Sequence, residues 1–174
     1  EAAAKMNEIA SGDAVATIFG CASGVAVAAT PIAQDQSVPF VAMQAGTAGV
    51  VDQGEYIFRT TAPQSTFQSA QVDYWASQGV DDVAIIYQAD NPTLVELAEE
   101  IYPPLLDQAG MDLVESHTFN ADTVDFSGIA ASVASADPGA VLVHGQGTPN
   151  VTVVTQLLQA GYEGLIGGSG GIAG

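Results

Sequence analysis

Five short runs of apolar, β-prone residues, at 15–19, 38–43, 83–87, 140–144 and 164–166, recur along the 174 residues of this chain, with helical patterns between most of them. Their apolarity is continuous rather than alternating. That is the mark of strands covered on both faces, and such strands separated by helices wind into a parallel sheet. The sequence therefore predicts an α/β fold. Helices are expected over 24–36, 66–78, 93–108, 126–136 and 150–160. In the third, Leu94, Leu97, Ala98, Ile101 and Leu105 mark one face, and Pro103 and Pro104 are expected to kink or break it. A further helix is expected over 1–12, with Met6 and Ile9 at helical spacing and Gly12 as the stop. Its first five residues match one unit of the EAAAK spacer, but they run straight into Met6 and read as native helix.

The alternation lapses once. Between Met43 and Thr66 there is a turn rich in glycine (Gly46, Gly49, Gly54), a short strand at 56–60 and then Ala62-Pro63, with no helix. An extended crossing of this kind suits a passage between two lobes, which places a hinge near 60–65.

Charge narrows the choice of partner. Twenty acidic residues against two basic ones, Lys5 and Arg59, leave a net charge of −18. Two cations cannot neutralise a run of phosphates, so nucleic acid and anionic membrane surfaces are excluded as partners. The charge excess fits a saline milieu, where salt screens self-repulsion, and equally an ordinary acidic soluble protein. No stretch reaches the roughly 18–20 apolar residues of a membrane-spanning helix, so no direct membrane insertion is expected. The chain opens in a helical pattern without the charged and apolar regions of a signal peptide, so these residues alone assign no compartment. The single Cys21 excludes an internal disulfide, and two distant histidines exclude a Cys/His metal centre. No cofactor or metal is expected.

Beyond these patterns, the run Phe19-Gly20-Cys21-Ala22-Ser23-Gly24-Val25, continuing to Pro31-Ile32-Ala33, resembles the central part of type I periplasmic binding proteins. These are the branched-chain-amino-acid-type receptors of ABC importers. Val38-Pro39-Phe40, Phe58-Arg59-Thr60-Thr61-Ala62-Pro63, Val83-Ala84-Ile85-Ile86-Tyr87, Asp125-Phe126-Ser127, Ala160-Gly161-Tyr162 and Gly167-Gly168-Ser169-Gly170 continue the likeness in order. The resemblance implies two Rossmann-like lobes with parallel sheets, 1–62 belonging to the N-terminal lobe and 63–174 to the C-terminal lobe. It also implies that the first lobe is incomplete, because the family's chain begins with a strand, helix and strand not matched here. A small-molecule ligand, an ABC permease as partner and a periplasmic or extracellular location follow from the same resemblance.

Such receptors bind beyond the carboxyl ends of their strands. Ser23, opening a helix after the first strand, either holds a ligand oxygen or caps its own helix. Ala45, Gly46 and Thr47 resemble the family's Ala-Thr contact segment, with a plain glycine turn as the alternative. Asp90 is a ligand candidate that suits a helix cap better, and Pro92-Thr93 stands where the family commonly has Tyr-Gly. Gln146 takes the place of a frequent tyrosine. Ser169 falls where amino-acid receptors often carry an acid for the ligand's ammonium, and a hydroxyl cannot form that ion pair. An amide or a small organic acid therefore competes with an amino acid as ligand.

The rival reading is enzymatic. Gly167-Gly168-Ser169-Gly170-Gly171 satisfies the nucleophile pattern of α/β serine hydrolases, but there Asp and His follow the serine, whereas His117 and His144 both precede Ser169. His144, at a strand end, reads as a satisfied polar residue rather than a base. Gly145-Gln146-Gly147-Thr148-Pro149-Asn150 imitates a dinucleotide loop, with Asn150 where the third glycine belongs. The expectation is a binding protein, not an enzyme.

Overall fold

A computed structural model of the chain describes residues 1–19 and 23–168. The chain divides into two compact units, Glu1–Phe67 and Gln68–Gly174. The first contains α1 (Ala2–Ala10), β1 (Thr17–Phe19), α2 (Ser23–Asp35), β2 (Phe40–Ala42), a 3-10 turn (Val51–Gln53) and β3 (Ile57–Arg59). Its three strands are parallel, in the order β1-β2-β3, with Phe40 paired to both Thr17 and Ile57. On α2, Ala26, Ala29 and Ala33 repeat at helical spacing and pack with Met6 of α1 against Phe40 and Ile57. Phe40 is fully buried, a contribution of about 1.5–3 kcal/mol. The other face differs from expectation. Ile18 is 70% exposed, so continuous apolarity does not correspond to two-sided cover in β1; Phe58 of the crossing strand β3 is 52% exposed as well.

In the second unit α3 (Gln64–Ser77, the first turn belonging to unit one) leads to β4 (Asp82–Gln88), α4 (Pro92–Glu96), a π turn (Leu97–Ile101), α5 (Tyr102–Ala109) and β5 (Asp112–Phe119). There follow α6 (Ser127–Ala136), β6 (Ala140–His144), α7 (Thr148–Gln159) and β7 (Leu165–Gly168). All four strands are parallel, in the order β5-β4-β6-β7. Alternate residues of β4 and β6 feed opposite cores. Ile85 and Leu142 meet Trp75, Tyr102 and Leu106 on one face, while Ile86 and Val143 meet Phe126, Val133 and Leu157 on the other. Here the continuous apolar runs are buried on both sides.

Three local outcomes bear on the sequence expectation. The helical stretch is interrupted as expected, with Pro103 and Pro104 in the first turn of α5 directly after a π turn. The π turn before them, closed by the Tyr102 N–H on the Leu97 carbonyl, widens the coil where the two rings need room against the preceding turn. The helix then stops at Gly110, whose φ of 73° is left-handed. Strand β5 was not expected, because it lies on the sheet edge and its residues, polar and apolar mixed, are mostly exposed. Its register slips against β4 so that Val114 is extra, a bulge that twists the edge. The third, a correction, concerns the start of α4. Asn91, not Asp90, caps it, its Oδ1 accepting the Thr93 N–H at 3.1 Å.

Candidate functional site

In each unit the chemistry-bearing loops leave the carboxyl ends of the parallel strands. In the first unit the loop after β2 brings Ala45, Gly46 and Thr47 into the interior, all three buried, and leaves Met43 and Gln44 exposed. The organiser is Arg59, the last residue of β3. Its Nη1 donates toward the carbonyls of Ala45, Gly46 and Thr47 at 3.5, 3.3 and 3.1 Å. Gly46 also accepts the Gln64 N–H at 2.9 Å. With the carbonyls turned onto a guanidinium, the loop is fixed in one conformation. The sequence did carry a signal for this role, since Arg59 is one of only two basic residues. Ser23 is the first residue of α2, and Gly20, Cys21 and Ala22 before it lie outside the described residues.

The second unit has a sharper feature. Strand β4 is flanked by β5 and β6, and the chain leaves β4 toward β5, then crosses back to β6. Connections diverge at this switch point, which is where open α/β sheets admit ligands. Gln88 ends β4 there, only 6% exposed. Its Nε2 donates to Asp90 Oδ1 at 2.7 Å and its Oε1 accepts the Gln146 N–H at 3.1 Å. The second oxygen of Asp90 accepts the Ala121 N–H at 3.1 Å. Asp90 and Gln146, both proposed from sequence, are thus joined through a residue the sequence reading passed over. Hydrogen bonds from Gln88 and then Ala121 hold the Asp90 carboxyl below the usual carboxylate range. The side chain of Gln146 is exposed. Ser169 lies outside the described residues.

Below this rim, His144 is fully buried, its ring 5.0 Å from that of Tyr102, and neither ring nitrogen has a hydrogen-bond partner. The expectation of a satisfied polar residue is corrected, because its neighbours on that face are apolar or turn their polar atoms elsewhere. Tyr102 donates its hydroxyl to Gln68 and Gln71, and Tyr87 donates to Glu99. Burial lowers the imidazole to about 4. His117 instead pairs with Glu115 at 2.7 Å on the edge strand, which holds the Glu115 carboxyl down. Asn150 is buried, with its Nδ2 on the Gly145 carbonyl at 2.7 Å. A side chain at Gly145 would collide with Asn150 and Phe119, so this loop is packed shut rather than shaped around a dinucleotide. Among the described residues there is no group of three or more acidic, His or Cys side chains placed to hold a metal, and no helix long and apolar enough to cross a membrane.

Comparison with known proteins places this architecture. The family model described as periplasmic binding protein matches residues 1–173. The chain belongs to the periplasmic binding protein family. Its parallel sheets and solved relatives identify the type I fold of that family. The Leu/Ile/Val-binding protein homolog 7 of Brucella suis is 29% identical over 171 residues, an alignment covering 90% of this chain and 42% of the relative. A solute-binding protein of an ABC transporter from R. palustris, solved in complex with 4-hydroxybenzoate, superposes with a TM-score of 0.82 at 22% identity, over 98% of this chain and 47% of the other. An ABC transporter substrate-binding protein from Desulfitobacterium hafniense, solved in complex with Leu, gives 0.80 at 15% identity, over 96% and 50%. This periplasmic binding protein chain thus spans less than half the length of the curated relative it matches.

Proposed function

We propose that the chain serves an extracytoplasmic solute-binding receptor that hands a small polar ligand, an amino acid, an amide or a small organic acid, to an ABC permease. The observation that carries this reading is the rim at the β4/β6 switch point, where Gln88 gathers Asp90 and Gln146 at the ligand-binding end of a parallel sheet. In this reading residues 1–62 and 63–174 belong to two lobes that close about a hinge near 60–65. Ser23, Ala45, Gly46 and Thr47 face the ligand from the first, and Gln146 and Ser169 from the second, with Asp90 at the same rim. The work is binding and closure, without covalent chemistry.

Electrostatics shapes the ligand class. Lys5 is paired with Glu8 at 2.8 Å, and Arg59 turns Nη1 onto three carbonyls of its own unit. In this reading a ligand carboxylate is held by backbone amides and hydroxyls rather than by a cationic side chain. The names of the structural relatives support both carboxylates and amino acids as probes. Thermal unfolding of the protein with 4-hydroxybenzoate or leucine at about 100 times the dissociation constant should stabilise it by about 2.7 kcal/mol, with the probe recovered unchanged. Labelling of Ser169 by a fluorophosphonate, together with ester turnover, would instead establish the serine hydrolase.

A further inference from the structure

We propose that Gln88 and Asp90 form a brace that positions the ligand-facing rim of the second unit, and that Asp90 serves this framework rather than the ligand, leaving the exposed Gln146 side chain as the contact. The inference rests on the receptor reading for the word ligand; the brace itself stands on geometry. Three loops converge on it: Asp90 follows β4, Ala121 follows β5 and Gln146 follows β6. Both carboxylate oxygens of Asp90 are occupied, one by a side-chain amide and one by a backbone N–H. A carboxylate so engaged has little left to offer a guest.

The chemistry singles out glutamine. A carboxylate can only accept and a backbone N–H can only donate, so the Gln88 amide satisfies both neighbours in one orientation alone. Leucine at this position makes neither bond. Glutamate could accept from Gln146 but would turn a second carboxylate toward Asp90, unless it carried a proton to donate. Gln146 uses its backbone N–H, so shortening its side chain leaves the brace intact.

The test follows amide hydrogen exchange, expressed as protection relative to the unfolded chain, in the wild type and in Gln88→Leu, Gln88→Glu and Gln146→Ala. In Gln88→Leu the amides of Gln146 and Ala121 should lose protection about tenfold and the Asp90 carboxyl should titrate higher, while the amides of Ile85 and Leu142 keep theirs. In Gln88→Glu, repulsion of Asp90 should cost Ala121 its protection at neutral pH, and acid should restore it, a rescue that a space-filling role would not produce. Gln146→Ala should exchange like the wild type. Wild-type protection at Gln146 in Gln88→Leu, or no acid rescue in Gln88→Glu, overturns the brace. Binding separates the two ideas. If 4-hydroxybenzoate or leucine binds, Gln88→Leu and Gln146→Ala should each weaken it about tenfold, and unchanged affinity in Gln88→Leu with loosened loops overturns the positioning role. Should neither probe stabilise the wild type while exchange behaves as expected, the receptor reading fails for those classes and the brace stands.

Discussion

Strands β4 and β6 lie between two cores, and every side chain from Val83 to Tyr87 and from Ala140 to His144 is buried. Strand β1, also built from an apolar run, and its sheet-mate β3 bury Thr17 and Ile57 on one face and expose Ile18 and Phe58 on the other. The difference comes from what each sheet has to lean on. In the second unit α3 and α5 pack on one side and α6 and α7 on the other; in the first, α1 and α2 join a single core. The same local pattern of residues therefore contributes differently to stability, since only area removed from water counts.

The largest expected effect breaks or confirms that contrast directly. Leu142→Ala removes a side chain buried at 0% exposure and should cost about 3 kcal/mol, counting the cavity. Phe58→Ala, a larger truncation, should cost well under half of that because the ring already meets solvent. Urea unfolding of both variants measures it. Equal losses would mean that the bare face of the first sheet is covered in solution, and the contrast would fall.

How far the sequence foretold these two regions depends on how local each signal was. The parallel α/β pattern was legible because buried strands write themselves as unbroken apolar runs, as in 83–87 and 140–144. Strand β5 was not, since an edge strand carrying Asp112, Glu115 and His117 satisfies its pairing on one side only and looks like a loop. Asp90 and Gln146 could be picked out by their positions after strands. Their link through Gln88 could not, because it joins residues 58 apart in the chain and exists only once the switch point has formed. Arg59 was visible as a rare cation, yet its three carbonyl partners belong to a loop 12–14 residues earlier, and nothing in the spacing announces a clamp.

Acid should sharpen the contrast, because the second unit alone holds a buried imidazole. Unfolded, histidine titrates near about 6.5; in the fold, burial holds His144 at about 4. Above pH about 7 both states are neutral and His144 leaves stability flat. As pH falls from about 6.5 toward 4 the unfolded chain binds a proton that the folded one refuses, so stability declines, by roughly 3 kcal/mol at the lower end. His144→Leu should flatten this window while leaving stability at pH 8 equal or higher, since two unpaired buried nitrogens disappear. An unchanged acid slope in the variant would overturn this assignment to His144; Asp90 and Asp125, whose carboxyls are lowered, take up protons only further into acid and do not contribute in this window.

The smallest effect belongs to the first unit and asks whether Arg59 offsets its thinner cover. Arg59 is half-buried, and a single nitrogen is shared among three carbonyls, so its bonds are long and divided. Arg59→Met keeps the aliphatic stem and removes the donors, and should cost about 1–2 kcal/mol, toward the low end for hydrogen bonds to a charged group. The loss should be local. Amides of the 45–47 loop should exchange faster while those of β4 and β6 are untouched, because the carbonyls freed from the guanidinium turn to water. If Arg59→Met left the loop's exchange unchanged, the fixed conformation of Ala45, Gly46 and Thr47 would have to come from their burial alone, and Arg59 would be a bystander to it.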